Sequence, residues 1–323
     1  MGAAVSAVLW GGVAAGKGSG AGSEVVFWVD PASDAARQAA EWRRTGRTAD
    51  ALLMDRIATR AQAEWLTGPG PRAVVRARTT AAAAEGRTAV LVAYYIPHRD
   101  CGSHSGGGAP GAAAYREWVD EFAAGLGDRS AYVIVEPDAV AQTVAGCHRV
   151  VPEERYALLA YAVDRFERQA NTRVYLDAGN SAWHPDPYRL AGPLRQSGIA
   201  GADGFALNVS NFQTDAASST YGTTLSGALG GKHFVIDSSR NGNGPYTGTN
   251  SWCNPPGRAL GVAPTTVTGA PLVDAHLWAK RPGESDGTCR GGPAAGRWWP
   301  SYALELARNA RDGEDQPVAG PSS

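Results

Sequence analysis

Much of what marks other protein classes is missing from this sequence. Its 30 Lys and Arg nearly balance 31 Asp and Glu, for a net charge of −1. No basic face is implied, so neither nucleic acid nor a membrane surface is expected as a partner. No GxGxxG directly follows a strand-like segment and no GxxxxGKS occurs. That disfavours the phosphate-cradling loops of dinucleotide-binding and P-loop enzymes. The six His form no HExxH pair and the four Cys no CxxC pair, so no metal site is indicated. No repeat recurs at a solenoid period. Residues 3–15 (AAVSAVLWGGVAA) are small and apolar, like a signal-peptide core, but no Lys or Arg precedes them and they are too short to span a bilayer.

What is present fits one large α/β domain. The 323 residues and 43 % hydrophobic content are ordinary for a domain with a sizeable core. Residues 1–22 read as a leader and linker, 23–312 as the folded domain, and 313–323 as a flexible tail. Ten Trp serve either as core or as platforms for the apolar face of a sugar ring. The cysteines fall as two local couples, Cys101 with Cys147 and Cys253 with Cys289. Bridged, each couple would add about 4 kcal/mol by the chain-entropy argument. Buried free thiols are the other reading.

Strand-like segments at Glu24–Val29, Ala89–Tyr95, Ala131–Glu136, Arg173–Asp177, Gly204–Asn208, His233–Asp237 and Val273–Trp278 are rich in Val, Ile, Tyr and Phe. Helical patterns lie between them, at Asp34–Arg43, Ala49–Ala63, Ala112–Gly125, Glu153–Gln169 and Asp215–Leu229, with Tyr302–Asn309 closing the domain. Repeated β–α units predict a parallel sheet, open or closed into a barrel.

The chemistry follows the strands. Tyr94, Arg99 and Asp100 follow one; Glu136 and Asp138 the next; Asp177, Asn180 and Trp183 the next. Asn208, Asn211, Asp237, Arg240, Asn241, Asp274, Lys280, Glu284 and Asp286 continue the pattern. In an α/β barrel these positions form the active-site rim. A single Asp there is usually a turn or cap residue. Repeated acids beside Trp point instead to acid–base work on a glycosidic bond.

The segments YYIPHRDC, VIVEPDAVA, YLDAGNSAW, NVSNF, VIDSSRNGNGP, WCNPPGRALG and LWAKRPGESDG, in that order, resemble glycoside hydrolase family 6, which contains endoglucanases and cellobiohydrolases. The resemblance implies a distorted (β/α) barrel of about seven parallel strands, with its cleft at the strands' C-terminal ends. It implies a secreted, monomeric, cofactor-free and inverting enzyme that cuts β-1,4-glucan. Asp138 matches the general acid. Asp100 matches the aspartate that raises the acid's proton affinity and helps relay a proton from water. Asp286 matches the aspartate often proposed as base, a debated role. Tyr94 matches a tyrosine crowding the distorted sugar, and Asp177 an aspartate supporting the same site. Trp65, Trp183 and Trp252 match stacking platforms, and Lys280 and Glu284 sugar-binding positions. Asn211, in the matching NVSNF segment, joins this substrate-binding set. The cysteine couples match the family's two disulfides.

Asn180 departs from the family, which often has His there; an amide still bonds a hydroxyl but carries no charge. The water-positioning serine is expected at Ser103 or Ser105, with a glycine of the same loop as a third occupant of that position. The stretches from Asp100 to the next helix, from Cys253 to Val273 and from Asp286 to the last helix are all short. They leave little material for a tunnel roof, so endo action is expected. A cellobiohydrolase and an inactive glucan-binding protein are the alternatives.

Overall fold

The computed structural model describes residues 24–311; the expected leader (1–22) and tail (313–323) lie outside them. Seven parallel strands form one sheet in sequential order: β1 (Glu64–Leu66), β2 (Ala89–Ala93), β3 (Ala131–Val135), β4 (Thr172–Asp177), β5 (Gly204–Leu207), β6 (His233–Asp237) and β7 (Val273–Leu277). The helices are α1 (Asp34–Arg44), α2 (Thr48–Ala58), α3 (Arg72–Ala84), α4 (Ala112–Leu126), α5 (Ala139–Val144), α6 (Pro152–Glu167), α7 (Tyr188–Gln196), α8 (Asp215–Ala228) and α9 (Pro300–Asn309). The sheet curls into a distorted barrel. Its two edge strands are joined by no ladder. The Ala63 amide donates to the Trp278 carbonyl at 3.0 Å, and the Trp65 indole donates to the Ala279 carbonyl at 2.7 Å.

The strands are apolar because both faces are covered. On β2, Val90 and Val92 point into the barrel, as does Tyr94 just past its end, with Ile134, Tyr175, Val235 and Leu277. Leu91 and Ala93 point outward, into the layer against Phe122, Leu159 and Phe166 of the helices. A third cluster packs α1, α2 and α9 around Trp278. One side of the barrel is thereby dry. The rim at the C-terminal strand ends is left for polar work.

Two expectations need correction. Glu24–Val29 is not a strand: it touches the sheet through one bridge, Phe27 to Thr88. Phe27 instead plugs the barrel, edge-on to Tyr132 with ring centroids 5.1 Å apart. The first strand is Glu64–Leu66, just past a helix expected to run to Ala63. That helix stops at Ala58, and Ala63 is drawn out to bond Trp278 across the seam. The first assignment followed local β-propensity and the second a helical pattern carried too far, and long-range packing decided otherwise in both.

Candidate active site

Backbone conformation marks the rim before any side chain does. Ten non-glycine residues among those described have positive φ, including His98, Asp100 and Cys101 after β2, Glu136 and Asp138 after β3, and Asn208 and Ser210 after β5. Such conformations cost energy and gather where a site must hold a fixed shape.

The first cluster is acidic. Asp138 (φ 71°) stands at the start of α5. Its amide donates to Asp177 Oδ1 at 2.9 Å, which ties β3 to β4. The Gly179 amide donates to the same oxygen at 3.0 Å. Asp177 Oδ2 is buried without a hydrogen-bond partner. Burial pushes the Asp177 carboxyl up to about 7, against the pull of those two amides. Burial also pushes Asp138 well above the usual carboxylate range, reinforced by the neighbouring charges of Asp177 and Asp100. Two close carboxylates resist joint ionisation. Asp100 is held by the Ser105 amide at 2.8 Å and the Gln142 side-chain amide at 3.0 Å. Tyr94 lies beside this cluster, buried, and edge-on to Trp65 at 5.2 Å.

The second cluster is held by cations. Asp286 Oδ2 accepts from Arg240 Nη1 at 2.9 Å and from the Asn254 amide at 3.0 Å. Lys280 Nζ lies 3.7 Å from Oδ1. Arg240 is fully buried, with its guanidinium 4.3 Å from the centre of the Phe212 ring. Lys280 is buried, which lowers its proton affinity against the opposing pull of Asp286 and Glu284. Asp237 joins the strands below: its Oδ2 accepts the Ser210 and Lys280 amides, both at 2.9 Å. Glu284 is buried and paired with Arg281 at 2.9 Å; Arg281 also pairs with Glu64 at 3.0 Å.

The remaining expected residues take distinct places. Asn180 Oδ1 accepts the Ala182 and Trp183 amides, both at 3.1 Å. Its oxygen therefore shapes the turn that carries Trp183, which stacks on His184. Asn211 is half-buried, its oxygen taken by the Phe212 amide at 2.9 Å. Trp252 is 45 % exposed and meets His104 at 5.6 Å between ring centroids. That contact joins the loop after Asp100 to the loop before β7. Disulfides Cys101–Cys147 and Cys253–Cys289 anchor the two loops, with Cα separations of 5.9 and 6.3 Å. Two glycines are required here. A Cβ on Gly108 would lie 1.9 Å from the Ile96 carbonyl oxygen, and one on Gly287 would lie 2.5 Å from the His104 ring. Ser105 reaches the Asp100 carboxylate through its backbone amide, whereas the Ser103 amide donates to the Asp100 backbone carbonyl at 2.8 Å.

Sequence reasoning gave no role to Asn254, Gln142 or Arg281. It placed Arg240 on the rim, in the SSRNGNGP motif, without a partner. Its pairing with Asp286 depends on loop geometry. Among the described residues, no three His, Cys, Asp or Glu side chains are grouped to hold a metal ion.

A model of glycosyl hydrolases family 6 matches residues 22–310. The chain belongs to that family. It is 46 % identical to endoglucanase A of Cellulomonas fimi over 88 % of this chain and 61 % of that protein. It is 44 % identical to endoglucanase A of Thermobispora bispora, over 88 % of this chain and 62 % of that one. The chain thus spans about three-fifths of the length of these two relatives. The solved structure of the endoglucanase Cel6 from Mycobacterium tuberculosis, in complex with methyl-cellobiosyl-4-deoxy-4-thio-beta-D-cellobioside, is 46 % identical. It superposes with a TM-score of 0.82, covering 90 % of this chain and 98 % of that one. The family-6 barrel accounts for the seven-stranded sheet and for the rim of carboxylates.

Proposed function

We propose that this family-6 chain is a secreted, inverting endo-β-1,4-glucanase acting as a monomer on cellulose or soluble β-glucan, with Asp138 as general acid. The observation that carries this reading is the place of the Asp138 carboxyl beside those of Asp177 and Asp100, where burial and their charges raise its proton affinity well above that of an ordinary carboxylate. A protonated acid near neutral pH can give its proton to the glycosidic oxygen as the bond to the anomeric carbon breaks. Water attacks the opposite face of that carbon, and the proton it loses passes towards Asp100. The Ser105 and Gln142 bonds fix Asp100 for that relay. Tyr94 crowds the ring to be cleaved, while Trp65, Trp183 and Trp252 offer flat apolar faces to the glucan. Asp286 is better suited to hold the Lys280 and Arg240 cations in place beside the sugar than to take a proton, because its oxygens are already committed. Lys280 and Glu284 are the polar contacts proposed for neighbouring sugars, and Asn180 and Asn211 shape the loops below them.

Endo action agrees with the endoglucanase relatives and with the short loops. The contact of His104 with Trp252 is the observation that favours the cellobiohydrolase alternative, because it draws two loops together. Viscosity measured against reducing ends on carboxymethyl-cellulose, in chelator, separates the readings. The proposal expects a steep viscosity drop that vanishes in Asp138→Ala. Reducing sugar with little viscosity loss supports the cellobiohydrolase. Binding without turnover supports an inactive glucan binder, and loss of wild-type activity in chelator overturns the cofactor-free mechanism. Two disulfides support export to an oxidising compartment. Among the described residues no helix is long and apolar enough to cross a membrane.

A further inference from the structure

One buried carboxyl next to the site has no part in this chemistry. Glu136 lies two residues before Asp138, and it is fully buried. Its backbone takes a positive φ of 48°, and its amide extends the sheet by donating to the Ala93 carbonyl at 2.8 Å. The side chain reaches across to the chain leaving β2. The Tyr95 amide donates to Oε1 at 2.9 Å and the Ile96 amide to Oε2 at 3.1 Å. A buried arginine from α6 holds the next two residues: Arg155 Nη2 donates to the Pro97 carbonyl at 2.8 Å and lies 3.4 Å from the His98 carbonyl. Arg155 Nη1 is buried without a hydrogen-bond partner, and its charge faces Glu136. From α4, the buried Tyr115 sets its hydroxyl beside the same carboxyl.

Residues 95–98 are thus gripped one after another by two buried side chains from two other elements. These four residues lie between Tyr94 and Asp100. Glu136 itself belongs to the strained turn that presents Asp138. We infer that Glu136, backed by Arg155, is a positioning residue that sets the spacing between Asp100 and Asp138. The inference rests on the reading of Asp138 as general acid. A buried carboxyl holding two amides is costly to desolvate. An apolar residue would leave those two amides unpaired. Burial pushes the Glu136 carboxyl up to about 7, against the pull of the Tyr95 and Ile96 amides, Tyr115 and Arg155.

If the spacing relaxes, Asp100 exerts less charge on Asp138. The groups that set the proton affinity of Asp138 are Asp177 from β4 and Asp100 from the β2 loop, with Tyr94 beside both. A looser Asp100 therefore moves the alkaline limb of the pH–rate profile to lower pH.

The test uses the whole chain with soluble cello-oligosaccharides, and measures kcat, KM and the pH profile for Glu136→Gln, Glu136→Ala and Arg155→Gln. Glu136→Gln keeps an acceptor for one amide and is expected to lower kcat about tenfold at unchanged KM, with the alkaline limb shifted down. Glu136→Ala is expected to lose about a hundredfold by the same reasoning. Arg155→Gln is expected to follow Glu136→Gln, and it decides the matter if neither Glu136 variant folds. Asp138→Ala and the double variant Asp138→Ala/Glu136→Gln complete the set. Asp138→Ala inactive, with a double variant no worse, fits action through Asp138. Folded variants with the wild-type kcat and alkaline limb overturn the inference while leaving Asp138 as acid. So does a loss confined to KM. Wild-type turnover by Asp138→Ala overturns the acid itself.

Discussion

Asp138 and Asp286 are the same residue placed in opposite surroundings on one rim. Asp138 stands with Asp177 and Asp100, carboxyl beside carboxyl, and burial lifts its proton affinity. Asp286 stands against Arg240, Lys280 and the Asn254 amide. The first arrangement favours a protonated carboxyl; the second anchors a negative charge and, with it, two buried cations. The difference comes from which strands deliver the neighbours. β2, β3 and β4 bring acids to one side, whereas the loops after β6 and β7 bring Arg240 and Lys280 to the other.

The largest expected effect breaks the first side. Asp138→Ala removes the proposed acid and is expected to slow cleavage of unactivated glucan by about 10²–10⁴-fold, while binding persists in a pull-down with insoluble cellulose. Wild-type-like turnover would put the acid elsewhere. Breaking the second side acts mainly on stability. Asp286→Ala leaves Arg240 and Lys280 buried without their carboxylate, a cost of about 3–5 kcal/mol, to be read from denaturant unfolding. An unchanged midpoint would mean that the cations find water or each other's partners at no cost.

Much of this comparison was legible in the sequence on the acidic side only. β2 to β7 are short apolar runs ending in polar residues, so Asp100, Asp138 and Asp177 could be placed at strand ends directly. β1 could not be read, because Glu64–Leu66 is three residues long and is defined by its neighbours. The Phe27 segment has β-propensity, but its ring is used as a plug. The cationic side was hidden for a related reason. Arg240 and Asp286 are 46 residues apart, and their meeting is set by two loops whose course no local pattern gives. Asn180 was recognised, but its use of its oxygen within the Trp183 turn is a matter of rotamer and backbone.

Smaller effects sharpen the picture. Cys101–Cys147 closes the loop that carries Asp100, and its loss is expected to cost about 2–4 kcal/mol. Calorimetry before and after verified reduction checks this; an unchanged melting temperature would contradict a stabilising role. A separate effect is with pH. Asp177 and Glu136 bind protons more tightly folded than unfolded, both near pH 7. Their contribution to stability is complete below the ordinary carboxylate range and is lost as pH rises through about 7. The melting temperature should fall between pH 5 and pH 8, and less so in Glu136→Gln. A melting temperature that rises over that interval would mean these carboxyls are ionised in the fold.

The proposed role of Asp138 as proton donor is tested most directly by varying the leaving group. Hydrolysis of 2,4-dinitrophenyl β-cellotrioside needs little protonation, whereas cellotetraose needs it fully. Rates on both substrates are to be measured for the wild type and Asp138→Ala. The proposed role predicts a large loss on cellotetraose and a small one on the activated glycoside. Equal losses on both substrates would contradict it, because Asp138 would then be shaping the site and not supplying the proton.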